Sequence, residues 1–152
     1  MKIQEYLRQS GVAFETHEHM PAYTAQEVAA AEHVSGKQLA KTVVINSRKG
    51  YAICVLPAPR KLDMDKAARL LNTSEITLAD EKEMARLFAD SEVGAEPPFG
   101  GLYDLPTLVD QQLTSCEEIV FQAGDHRHTI RLRYEDYAHL ARPIVGDLVV
   151  QL

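Results

Sequence analysis

Apolar and polar positions recur along this chain with two different periods, and the switches between them mark out the elements. Ile3, Tyr6 and Leu7 share one face of a short helix over 3–9, which Gly11 stops. Residues 12–17 alternate and suit a strand, and Pro21 breaks the chain after it. Thr24 and Glu27 read as a capping box opening a helix that runs to about residue 31. Two apolar runs, 41–47 and 51–56, are joined by a loop ending in Gly50, which is a hairpin signal. Asp63 can cap a helix carrying Ala67, Leu70 and Leu71, and Asp80 with Glu83 a second one burying Met84, Leu87 and Phe88. Pro106 sits well for the first turn of a helix over 106–113. Residues 118–123 and 128–133 form a second hairpin, in whose second arm Ile130 and Leu132 alternate with Thr129, Arg131 and Arg133. A last helix over 134–141 ends before Pro143. Hairpins interleaved with helices predict a mixed α/β or α+β domain, not a doubly wound parallel sheet.

Composition changes this picture little. At 45% hydrophobic and 25% charged, the chain has the make-up of a soluble globular protein, and 152 residues are read most simply as one domain, 1–152. No apolar run approaches membrane-spanning length, and the first residues lack the apolar core of a signal peptide, so the expected location is the cytoplasm. Cys54 and Cys116 lie far apart without a CxxC, and are expected to be buried free thiols.

Charge adds more. Eight of the sixteen Lys and Arg residues fall between Lys37 and Arg69, where the only acids are Asp63 and Asp65, so a chain of net −6 contains a segment of +6. Such a segment can guide an anion whatever the total charge. Within it Lys41 opens the apolar run Val43-Val44-Ile45 and belongs at a strand end. There it can snorkel to water, or it can anchor a phosphate or carboxylate at little entropic cost.

Gly94-Ala95-Glu96-Pro97-Pro98-Phe99-Gly100-Gly101 holds three glycines and two prolines in eight residues, so it is a shaped loop. It is either a connecting turn or a surface of backbone N–H groups that could stabilise the oxyanion of an ester. His17 with His19, and His126 with His128, have a spacing that puts both rings on one face of a strand, where a metal could bind. No third local ligand accompanies either pair, and His126, at a hairpin turn beside Gly124, reads better as one hydrogen-bonding residue facing a cleft. Signatures of a serine nucleophile elbow, a P-loop and a dinucleotide fold are absent. Cys54 lies inside an apolar run and is a poor nucleophile. Any catalysis is therefore expected to work by positioning and electrostatics.

Four stretches occur in one order: residues 19–29 (HMPAYTAQEVA), 36–44 (GKQLAKTVV), 94–100 (GAEPPFG) and 123–126 (AGDH). Together they resemble the YbaK / prolyl-tRNA synthetase-associated editing domain family over nearly the full length. The resemblance implies a mixed, partly closed sheet with helices packed outside. It implies hydrolysis of the ester between a wrong amino acid and tRNA, by a free-standing protein acting in trans. Lys41 matches the lysine held to bind the phosphate near the terminal adenosine. Gly94 and Pro97 match the glycine–proline loop whose backbone lines the aminoacyl pocket. His126 matches a position that is often histidine, and Thr24 lies in the segment capping the pocket. Lys41, Gly94, Pro97 and His126 are thus the implied catalytic set, and Tyr23, Thr24, Lys41, Glu96, Pro98, Phe99 and Gly100 the implied substrate contacts. The family's mechanism uses a positioned water and a ribose hydroxyl of the substrate, with no metal, cofactor or protein nucleophile. Glu96 departs from expectation: an acid in the loop could repel a carboxylate or bind an amino group.

The expected function is therefore deacylation of a tRNA mischarged with a small amino acid. The partners expected are the acceptor end of aminoacyl-tRNA and a synthetase or elongation factor, with no membrane and no need for more than a monomer. Two other readings stay open: a non-catalytic module that binds aminoacyl-tRNA or a nucleotide, and a metal-dependent hydrolase using the histidine pairs.

Overall fold

The computed structural model describes residues 2–21, 27–28 and 35–151. Helix α1 (Ile3–Ser10) is followed by strands β1 (Phe14–Glu18), β2 (Ala40–Ser47) and β3 (Gly50–Pro57). Then come α2 (Met64–Leu71), β4 (Thr77–Leu78), α3 (Glu81–Leu87), β5 (Thr107–Asp110), β6 (Glu118–Gln122), β7 (His128–Arg133), α4 (Tyr134–Ala141) and β8 (Ile144–Gly146). The expected start of a helix at Thr24 lies outside the described residues, while Glu27 and Val28 are helical.

Local signals act as the sequence suggests. Gly11 takes the left-handed conformation that ends α1, at φ 74°. The Asp63 carboxylate accepts from the N–H groups of Asp65 and Lys66, and Asp80 and Glu83 satisfy each other's backbone N–H groups in a capping box.

The strands form two sheets, and neither closes into a barrel. One is antiparallel, in the order β1-β7-β6; the other is mixed, in the order β4-β2-β3-β5-β8. In the second, β2 runs antiparallel to β3 and β4, while β3, β5 and β8 are parallel. A parallel bridge between Leu39 and Val120 joins the sheets just before β2. Val44, Ile53 and Val55 pack into a core with Leu7 of α1, Ile130 and Leu132 of β7 and Tyr137 of α4. Ile45, Cys54 and Leu56 face the opposite side, where Ala67 of α2 and Leu148 cover them. Because β3 is covered on both faces, it reads as a continuous apolar run rather than an alternating one.

The helix expected over 106–113 does not form. Thr107–Asp110 is instead the central parallel strand between β3 and β8, and a 3-10 turn follows over Gln111–Ser115. Leu108 and Val109 are both buried, on opposite faces of that sheet, and its pairing outweighs the helical pattern. Asp110 holds the change of direction, accepting from the N–H groups of Gln112 and Leu148. The short edge strands β4 and β8 carry no local signal strong enough to have been read. Of the two cysteines, Cys54 is buried as expected and Cys116 only partly so.

Candidate functional site

Antiparallel pairing turns alternate peptide groups of β2 in opposite directions. The Leu39 carbonyl accepts from Ala58 on the β3 side, whereas the Val44 carbonyl accepts from Ala79 on the other. The peptide groups of Ala40 and Thr42 therefore point away from β3. On that side, among the described residues, β4 pairs with Ile45 and Asn46, and β6 forms a ladder bridge at Leu39, just before the strand. No described strand pairs with Thr42 there, and the two sheets leave a cavity of about 170 Å³ between them. Leu39, Ala40, Lys41 and Thr42 form one wall, with Gly94, Glu96, Gln122 and Val28 completing it.

Lys41 and the glycine–proline loop thus meet in space although more than fifty positions separate them. Lys41 is half-buried and forms no ion pair with a described residue. Burial lowers its pKa first, and the neighbouring charge of Lys61 lowers it further. An ammonium that no described carboxylate pairs with, beside a second lysine, is suited to an anion.

The same cavity is lined by the turn at Gly94, whose φ of 90° suits glycine. The Gly94 N–H donates to the carboxylate of Glu96, at 3.1 and 2.8 Å to its two oxygens. Glu96 is 4% exposed, and burial pushes its pKa up against the lowering effect of these backbone donors and of His126 nearby. Lys41 and Glu96 share the cavity without pairing.

His126 is brought to the same loop. Its backbone N–H donates to Glu92 at 2.9 Å, and its ring Nε2 lies 2.9 Å from the Val93 carbonyl, which assigns the proton to Nε2. Glu92 N–H donates to Gly124 O and Gly124 N–H to Ala95 O, so the turn at 124–126 clamps residues 92–95 from both directions. The ring packs over Gly94, where a Cβ would lie 3.5 Å from its Cε1. His126 is 8% exposed and holds the loop rather than lining the cavity.

The remaining loop residues anchor it. Phe99 is buried, with edge-on rings of Tyr6, Phe121 and Tyr137 around it. The Tyr137 hydroxyl donates to the Pro98 carbonyl at 2.8 Å, and Gly100 N–H donates to Thr107 Oγ1 at 2.9 Å. Pro97 borders a second cavity together with Tyr103 and Asp125. Tyr23 and Thr24 lie outside the described residues. Thr42 and Gln122 are cavity residues that the sequence did not single out; the signal for Thr42 was its place beside Lys41 on a strand end.

The histidine pairs have separate partners: His17 meets Glu15, and His128 meets Asp125 and Glu18. Among the described residues no three His, Cys, Asp or Glu side chains are grouped as metal ligands. Burial pushes the Cys54 thiol up to about 12. No helix among the described residues is long and apolar enough to cross a membrane.

A sequence profile of the aminoacyl-tRNA editing domain matches residues 19–140. Among solved structures, a candidate trans-editing enzyme for prolyl-tRNA synthetase is 26% identical with a TM-score of 0.88, the match covering 98% of this chain and 95% of that one. A protein from a study of computational epitope grafting onto scaffolds is 28% identical, with a TM-score of 0.85 and the same coverage. A hypothetical protein at 21% identity and a TM-score of 0.89, covering 99% of this chain and all of that one, shares the fold.

Proposed function

The chain belongs to the aminoacyl-tRNA editing domain family, and from that premise we propose that it deacylates, in trans, a tRNA mischarged with a small amino acid. The observation that carries this reading is the meeting of Lys41 with the Gly94–Glu96 turn in one small cavity. Lys41 holds a phosphate of the terminal nucleotide, and the ester carbonyl faces the loop. An aminoacyl ester is already activated, so a modest lowering of the barrier suffices. One backbone donor on a developing oxyanion supplies about 2.7–4 kcal/mol in other enzymes. Water attacks the carbonyl carbon, the ribose oxygen leaves with a proton, and a hydroxyl of the ribose helps to place that water. His126 acts as a positioning residue that fixes the loop. The small cavity selects by excluding large side chains, since a single methylene changes binding by only about 1–3 kcal/mol. The basic segment draws in the acceptor end, with few phosphates engaged and a correspondingly shallow salt dependence.

A module that binds aminoacyl-tRNA without turnover is the second reading, favoured by the occupation of the Gly94 N–H by Glu96. Incubation with a panel of mischarged tRNAs decides between them. Multiple-turnover ester cleavage that falls in Lys41→Ala supports the deacylase. Binding with no cleavage above that variant on any tRNA would leave only the module.

A further inference from the structure

Glu96 is a carboxylate in an unusual position. It is 4% exposed, it borders the Lys41 cavity, and it forms no ion pair with a described residue. The Gly94 N–H donates to both of its oxygens, at 3.1 and 2.8 Å, and the backbone N–H groups of Glu96 and Ala95 and the nearby His126 also favour its charged form. Two carboxylate oxygens offer about four lone-pair sites, so the group can accept further donors. Burial still outweighs these groups, so the charge is costly and they do not repay it in full. A cationic ligand would.

The shared cavity limits what that ligand is. Lys41 lines the same cavity and calls for an anion, so the fitting molecule carries both a negative and a positive group. An aminoacylated terminal nucleotide has both: the phosphate, and the α-ammonium group, whose pKa of about 7.7–8.0 in a free α-amine leaves it charged near neutrality.

We propose that Glu96 is the specificity residue that recognises the α-ammonium group of the aminoacyl moiety. This rests on the deacylase reading of the same cavity. When the ammonium takes the carboxylate, the Gly94 N–H is released toward the ester carbonyl, so the correct ligand completes the donor it needs. An aminoacyl-tRNA whose α-nitrogen is acylated, or an ester of a hydroxy acid, lacks the group that effects this exchange.

The test is calorimetric titration at pH 6.5 with two stable probes in which an amide replaces the ester. One is 3′-alanylamino-3′-deoxyadenosine 5′-phosphate; the other is its lactoyl counterpart, with a hydroxyl in place of the ammonium and nearly the same size. The wild-type protein is expected to bind the alanyl probe roughly 10- to 100-fold more tightly, as a charge-assisted hydrogen bond provides. In Glu96→Gln, which keeps an acceptor for Gly94, the ratio is expected to fall to within about twofold through loss of alanyl binding alone. Equal wild-type affinities would overturn the anchor and leave the deacylase reading standing. So would a variant that preserves the ratio or weakens both probes alike. Failure of the wild-type protein to bind either probe would overturn the site and the parent reading together.

Discussion

The backbone N–H of Gly94 is held by the side chain of Glu96, two residues on, at 2.8 Å to the nearer carboxylate oxygen. That N–H is thus already engaged in the free protein, by an acid that is buried and forms no ion pair with a described residue. The cost of that arrangement can be measured. Burial raises the Glu96 pKa above the ordinary carboxylate range. A carboxyl that binds its proton more tightly when folded stabilises the protein below the unfolded pKa, and that contribution is lost as pH rises through the folded value. Glu96→Gln is therefore expected to have a higher Tm than wild type at pH 7–8, by a few degrees. The difference should shrink toward pH 4. Thermal unfolding across that range checks it, and a variant less stable at pH 8 than wild type would show that the charge is well compensated.

Lys41→Ala is expected to lower kcat/KM for deacylation roughly 10- to 100-fold, the worth of one hydrogen bond to a charged group. Since Lys41 forms no ion pair with a described residue, its Tm should stay within about 2 °C of wild type. Steady-state kinetics alongside thermal unfolding separates the two effects. A fall in Tm matching the loss of activity would assign Lys41 to the fold.

Gly94→Ala places a side chain at φ 90°. The added Cβ meets the His126 ring only at ordinary contact distance, 3.5 Å, so the strain is in the backbone. It should cost about 1–3 kcal/mol and several degrees of Tm, with reduced activity because the turn shifts. Unchanged Tm and activity together would mean that the turn relaxes freely.

Tyr137→Phe removes the hydroxyl that donates to the Pro98 carbonyl inside the core. Leaving that carbonyl without a partner should cost about 1–3 kcal/mol, seen as a lower urea midpoint with an unchanged slope. A midpoint equal to wild type would show that this bond does not hold the loop.

Much of the fold was legible because its signals are local. The caps at Asp63 and at Asp80 with Glu83 and the stop at Gly11 depend on hydrogen bonds between residues a few positions apart, and the two hairpins pair strands adjacent in the chain. The loop at 94–101 was legible as a shaped segment for the same reason, through the φ limits of its glycines and prolines. Residues 106–113 were misread because Leu108 and Val109 answer to β3 and β8, strands far away in the chain, and not to their neighbours.

The candidate site divides along the same line. By itself the sequence determined that Lys41 sits at a strand end in a basic segment and that a rigid loop follows later. Only the tertiary structure decided that the sheets part beyond Leu39 and Val120, leaving a cavity lined by both Lys41 and Glu96. It also decided that Phe99 is a core anchor and that His126 clamps the loop through Val93. Hydrogen bonding and φ restriction act over a few residues and can be read in order along the chain. Burial, the fate of a charge and the closure of a cavity depend on which distant segments become neighbours.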